Sequence, residues 1–65
     1  MNKTPSITVS IKTLNEAQGI EKTIDSVRIQ LQPYPHQIIV ADSLSTDNTR
    51  ELAIAKGAMV VCLDT

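Results

Sequence analysis

The chain has no tryptophan and no phenylalanine, one tyrosine, one cysteine and two glycines among its 65 residues. Each scarcity excludes something. A lone thiol, Cys62, forms no internal disulfide, and no cluster of His and Cys has the spacing of a structural zinc site. Without aromatic bulk, any core is built from Ile, Val, Leu and Ala. With only Gly19 and Gly57, neither a Gly-x-Gly-x-x-Gly loop nor a Walker loop can be written, so the usual backbone cradles for a bare phosphate are missing. Six basic residues against seven acidic ones leave a net charge of −1. There is no basic patch, and with it goes the electrostatic footprint of nucleic-acid binding. No apolar run approaches the ~20 residues that span a bilayer. Residues 1–6 lack the apolar stretch of a secretory signal. The chain is therefore expected in the cytoplasm, or peripheral to the membrane as part of a longer protein, and the sequon Asn2-Lys3-Thr4 is read as chance. A fold of about 60 residues buries only ~60% of its unfolded surface, so one incomplete domain is expected.

What is present is an alternation of strand and helix signals. Ile7, Val9 and Ile11 alternate with Thr8, Ser10 and Lys12, the two-residue period of a strand with one buried face. Ile20, Ile24, Val27 and Leu31 then recur at helical spacing, with Glu21, Lys22, Asp25 and Arg28 on the wet side. Asn15 and Gln18 stand at capping-box spacing ahead of that helix. Pro33 and Pro35 end it, and His36 reads as a solvated loop residue. Gln37 to Ala41 is a nearly continuous β-branched apolar run, as in parallel strands covered on both faces. Ser45 is placed to cap a second helix with Thr49, Leu52, Ala53 and Lys56 on its inner face, and Gly57 just past its end. Ala58 to Leu63 is a third strand, with Cys62 as an inert buried thiol. The expected strands lie near 7–13, 37–42 and 58–63, and the helices near 16–31 and 46–56.

A β-α-β-α-β order argues for a parallel sheet with right-handed crossovers. Two spatial orders are open. In the order 3-2-1 both helices share one face, and the other face, with part of the Ile38–Val40 run, has no cover within the chain. In the order 2-1-3 each face receives one helix. The first order predicts a domain that continues past Thr65, its bare face covered by the remainder of a catalytic domain or by self-association.

Ligands of open α/β sheets bind beyond the carboxyl ends of the strands. Two polar turns fall there, Thr13-Leu14-Asn15-Glu16 and Asp42-Ser43-Leu44-Ser45. On adjacent strands they would edge one crevice, with the N–H groups of two helix starts pointing into it. That crevice would carry the carboxylates Glu16 and Asp42, with Asp47 nearby. Carboxylates accept hydrogen bonds from a uracil N3–H or from ribose hydroxyls. They repel a diphosphate unless a divalent cation stands between. The nucleoside end of a nucleotide is the coherent ligand. Each residue also has a plainer role: Asn15 and Ser45 as caps, Asp42 in an Asx-turn, Glu16 and Asp47 at helix N-termini.

The run Ile11-Lys12-Thr13-Leu14-Asn15-Glu16, an amphipathic helix, and then Ile38 to Thr49 resembles the opening of the family 2 glycosyltransferases. Their pattern is a strand ending in Pro-Thr-x-Asn-Glu and a second ending in Asp-Asp/Ser-Gly-Ser-Thr-Asp-x-Thr. The likeness runs from Ser6 to Leu63 and includes Ala55-Lys56-Gly57-Ala58. It implies an α/β fold, the N-terminal half of a GT-A (Rossmann-like) nucleotide-diphospho-sugar transferase domain. It further implies a nucleotide-sugar donor, most often UDP-linked, a Mn²⁺ or Mg²⁺ requirement, and transfer of a sugar to an acceptor hydroxyl in glycan or polysaccharide biosynthesis. By position, Thr13, Leu14, Asn15 and Glu16 would contact base and ribose, with Asp42 and Ser43 beside the nucleoside. Lys12 replaces the family's proline, Ser43 a frequent second Asp, and Leu44 the common glycine, so the second turn is expected to avoid φ > 0. The family's metal-holding Asp-x-Asp and its catalytic base lie later and have no counterpart here, so the 65 residues alone are expected to transfer nothing. The rival readings are a stand-alone nucleotide-binding or receiver-like module, which Lys12-Thr13 after the first strand disfavours, and an inactive truncated product.

Overall fold

The computed structural model describes residues 7–64, so the sequon at Asn2 lies outside the described residues. The elements are β1 (Ile7–Thr13), α1 (Ile20–Leu31), β2 (His36–Asp42), α2 (Thr49–Ala55) and β3 (Met59–Cys62). The three strands make one parallel sheet in the order β1-β2-β3, which is the 3-2-1 arrangement. Thr13 pairs with Asp42, and Asp42 with Cys62. All three strands therefore end level, and the two polar turns leave the sheet side by side.

The core follows from the two periodicities. Ile20 and Ile24 from α1, Ile38 and Val40 from β2, Ala53 from α2, and Ala58 form one buried cluster, with Ile11, Val27, Leu52 and Val60 packed around it. Ile38 and Val40 are two apart and share a sheet face, so both helices cover that face. Each fully buried Ile or Val contributes about 1.5–3 kcal/mol. Among the described residues nothing covers the opposite face. Ile39 pairs with Met59 and Ala41 with Val61, and Met59 and Val61 are 56% and 43% exposed.

The end of α2 matches its sequence signal. Gly57 adopts φ 83°, its N–H donates to the Ile54 carbonyl at 2.9 Å, and the Ala58 N–H donates to the Ala53 carbonyl at 3.1 Å. Those two bonds satisfy carbonyls that the helix leaves orphaned.

Both helix starts differ from expectation. The N-cap of α1 is Gly19 and that of α2 is Asn48, neither with a side-chain cap. Asn15 and Ser45 lie four residues or more upstream of the helices, and their side chains are drawn into contacts between the turns. Cys62 is exposed rather than buried, being the last residue of an edge strand, and the Arg50 Nη1 donates to its Sγ at 3.5 Å. His36 opens β2 half-buried rather than solvated, its Nδ1 2.8 Å from the Tyr34 carbonyl. Among the described residues no helix is long and apolar enough to cross a membrane.

Candidate functional site

At the carboxyl end of the sheet, everything is organised around Asp42. Thr13 Oγ1 donates to Asp42 Oδ1 at 2.6 Å, and Ser45 Oγ donates to the same oxygen at 2.5 Å. The Ser45 N–H donates to Oδ2 at 2.8 Å, and Arg50 Nε stands 3.7 Å from that oxygen. The carboxylate is completely buried. Burial alone would push its pKa up. The donors Ser45 and Thr13, together with the Arg50 guanidinium, outweigh that and hold it below the usual carboxylate range.

A second layer stitches the two turns together. The N–H groups of Asn15, Glu16 and Ala17 donate in succession to Ser45 Oγ, Thr49 Oγ1 and Asp47 Oδ2, at 2.8, 2.9 and 3.1 Å. In return Asn15 Oδ1 accepts the Thr46 N–H at 2.8 Å. Thr49 Oγ1 donates to Asp47 Oδ1, which also accepts the Thr49 N–H at 3.0 Å. Thr49 chiefly holds the Asp47 carboxyl below its ordinary range. The N–H groups expected to line a crevice are thus consumed by side chains of the facing turn. The seam is closed, and Asp42 forms its floor rather than its rim.

The grip on Ser45 has a backbone consequence. To present both the N–H and the hydroxyl of Ser45 to Asp42, the chain passes through the left-handed region at Leu44, φ 57°. The glycine-free turn therefore does not avoid φ > 0. An L-residue in that region costs roughly 1–2 kcal/mol, here tolerated because the Leu44 side chain is half in solvent. Asn15 also has positive φ, 52°, a conformation its residue type accepts more readily.

What stays open is the other side of the first turn. Leu14, Asn15 and Glu16 are exposed, and Ser43 is half-buried. A cavity of about 200 Å³ is lined by Ile11, Lys12, Thr13, Glu16, Ile20 and Thr23. None of its lining comes from β2 or α2, so it lies along the outer edge of β1. Glu16 and Asp42 occupy the same end of the sheet, as expected, but they do not share this cavity.

Sequence reasoning missed Thr49 and Arg50 as parts of the site. Thr49 stood in the motif and was read only as helix interior. Arg50 joins Ser45 O at 3.2 Å, Cys62 Sγ at 3.5 Å and Asp42, a combination with no local signal. Nor do these residues fit a divalent cation. The oxygens of Asp42 and Asp47 already have donors, and among the described residues no three His, Cys, Asp or Glu side chains converge as metal ligands.

Comparison with known proteins is specific. The sequence pattern described as glycosyl transferase family 2 matches residues 8–64. Glucosyl-3-phosphoglycerate synthase of Mycobacterium tuberculosis is 45% identical over 56 residues, covering 86% of this chain and 17% of that protein. The succinoglycan biosynthesis protein ExoA of Rhizobium meliloti is 43% identical over 53 residues, 82% of this chain and 16% of its own length. A crystal structure of the mycobacterial synthase with Mn²⁺, uridine diphosphate and glucosyl-3-phosphoglycerate superimposes with a TM-score of 0.75 at 44% identity, over 89% of this chain and 21% of that one. The chain spans between about a sixth and a fifth of the length of these relatives. Its three-stranded sheet and two helices match the N-terminal part of a GT-A glycosyltransferase domain. The chain belongs to glycosyl transferase family 2.

Proposed function

We propose that this chain is the nucleoside-gripping part of an enzyme that transfers a sugar from a UDP-linked donor to an acceptor hydroxyl in glycan or polysaccharide assembly. The observation that carries the reading is the exposed Glu16 carboxylate beside a cavity at the ligand edge of a parallel sheet, on a turn whose backbone N–H groups, with that of Ala17, donate to the side chains of Ser45, Thr49 and Asp47. Such a turn is held in place before any ligand arrives, so little ordering entropy opposes binding. Glu16 would accept from the base or ribose, while exposed Leu14 and Asn15 border the nucleoside. Thr13, Asp42 and Ser43 support that surface from behind. Family 2 membership and the uridine diphosphate bound by the mycobacterial relative favour this reading.

In the transfer itself the acceptor oxygen bonds to the anomeric carbon as the bond to the diphosphate breaks. No residue described here is assigned to that step, nor to holding a cation. The chain alone is proposed to bind without transferring, and its bare sheet face, with Met59 and Val61, to be covered by further catalytic-domain structure. Titration of the 65-residue chain with UDP and with UDP-glucose, followed by amide NMR, tests the proposal. Shifts centred on Thr13 to Glu16 are expected. A folded chain whose spectrum does not change, or changes only elsewhere, defeats it.

A further inference from the structure

We infer that Thr49 is a positioning residue for the nucleoside site: its buried hydroxyl fixes the backbone of Glu16, and with it the place from which the Glu16 carboxylate meets a ligand. The inference rests on the nucleoside reading above and concerns a residue of α2 that touches no ligand itself.

The Glu16 side chain is exposed, and the ion pairs among the described residues, Arg50 with Asp42 and Lys56 with Asp25, do not include it. No charged side chain steers that carboxylate, so its position is inherited from the backbone that carries it. That backbone is held on both sides. The Glu16 carbonyl accepts the N–H groups of Gly19 at 3.0 Å and Ile20 at 2.9 Å, which ties it to the start of α1. The Glu16 N–H donates across the seam to Thr49 Oγ1 at 2.9 Å, which refers it directly to α2.

Thr49 is built for that contact. It is fully buried and opens α2, so the helix fixes its backbone. Its hydroxyl proton goes to Asp47 Oδ1, which also accepts the Thr49 N–H at 3.0 Å. A hydroxyl whose proton is committed has only lone pairs for its other neighbour, and here that neighbour is the Glu16 N–H. The flanking contacts are less direct. The Asn15 N–H meets Ser45 Oγ, which belongs to the buried Asp42 network, and the Ala17 N–H meets Asp47 one residue further on. Without the Thr49 oxygen the Glu16 N–H has no acceptor in the seam, and the turn is released at the residue that faces the ligand.

The test separates positioning from stability. The full chain and its variants are titrated with uridine and UDP by amide NMR, each affinity being referred to the folded fraction. Thr49→Val keeps the shape and removes the acceptor, while Thr49→Ser keeps the acceptor and removes the methyl. Thr49→Val should bind both ligands about five- to tenfold more weakly, with faster exchange of the Glu16 amide, and Thr49→Ser should bind within about twofold of the native chain. Gly57→Ala, which strains the other end of α2, should bind as the native chain does. An equal loss in Gly57→Ala would make the effect one of stability, and native affinity in Thr49→Val would show that Glu16 needs no such anchor. Either result overturns the inference and leaves the proposed function intact. Thr49→Cys serves if Thr49→Val does not fold. It differs from Thr49→Ser only in carrying sulfur, a weaker acceptor, in place of oxygen, and equal affinities for that pair would also overturn the inference. Absence of binding by the folded native chain would remove the proposed function, and this inference with it.

Discussion

Thr13 Oγ1 lies 2.6 Å from Asp42 Oδ1, a hydrogen bond between the last residue of β1 and its register partner at the end of β2. It ties the strands at the point where both turns depart, with no solvent access to the carboxylate. Asp42 is therefore a structural hub, and its substitution tests the fold before it tests any ligand. Asp42→Ala strands the donors of Thr13 and Ser45 in a buried space and leaves Arg50 without its carboxylate. Removing one partner from such a network costs about 3–5 kcal/mol, most of what a domain this small can have. Urea unfolding followed by circular dichroism should show Asp42→Ala largely unfolded in buffer. Thr13→Val, which removes one donor and keeps the shape, should lose only about 1 kcal/mol. Equal losses for the two variants would contradict the hub.

Acid should expose the same dependence. The folded-state pKa values of Asp42 and Asp47 both lie below their ordinary value of 3.8. A depressed carboxyl contributes stability that is fully present above its unfolded pKa and is lost as pH falls through its folded one. Stability should be flat from neutral pH down to about pH 5, then fall from the region of 3.8 downward. Denaturant midpoints measured between pH 7 and pH 2 give the profile. Asp47→Asn should make that fall shallower, and a profile that falls instead between pH 7 and 5 would point to a different group.

Among the described residues, the two non-glycine residues at positive φ should respond oppositely to glycine. Leu44, at φ 57°, makes no hydrogen bond with its exposed side chain, so Leu44→Gly relieves strain at the cost of some unfolded-state entropy. A net gain of about 0.5 kcal/mol is expected, a rise of about 2–4 °C in Tm for a chain this small. Asn15, at φ 52°, accepts from Thr46 and Asp47 through Oδ1. Asn15→Gly keeps the backbone geometry but loses that clasp, so it should destabilise by about 1 kcal/mol. Thermal melts of the two variants side by side decide the point.

These residues also mark where the sequence stops being legible. Strand and helix identity came from local periodicity, whereas the bare sheet face followed from handedness only in one of the two strand orders left open, the 3-2-1 order that the structure adopts. The turns did not yield to the same reading. Asn15 and Ser45 have the composition of helix caps, but Asn15 reaches Thr46 and the Asn15 N–H reaches Ser45 Oγ, about thirty positions away in each case, while the Ser45 hydroxyl donates backward to Asp42 instead of forward into the helix. A local pattern carries no information about such pairings. The same long-range stitching consumed the backbone donors that a helix-start argument would leave free, and it moved the open cavity from between the turns to the outer side of the first. The Leu44 conformation was misjudged for a related reason, since residue preference was weighed without the Asp42–Ser45 grip that overrides it.

Gly57 is the position where a single methyl should do most harm outside the hub. At φ 83° any other residue is strained, and a Cβ there would stand 3.2 Å from Arg28 Nη2. That nitrogen donates to the Lys56 carbonyl at 2.8 Å, bringing a cation from α1 to the carboxyl end of α2, where it also favours the helix dipole. Gly57→Ala thus strains the backbone and displaces the guanidinium from the carbonyl it caps. About 1–2 kcal/mol should be lost, lowering Tm by roughly 5–15 °C. Gly19 is the control. Nothing lies within 4 Å of a Cβ built there, and its φ is −121°, so Gly19→Ala should change stability by only about 0.5 kcal/mol through its N-cap position. Arg28→Ala separates the two contributions at Gly57. If the guanidinium matters, Gly57→Ala should be less damaging in the Arg28→Ala background than in the native chain, and strictly additive losses would assign the whole effect to backbone strain.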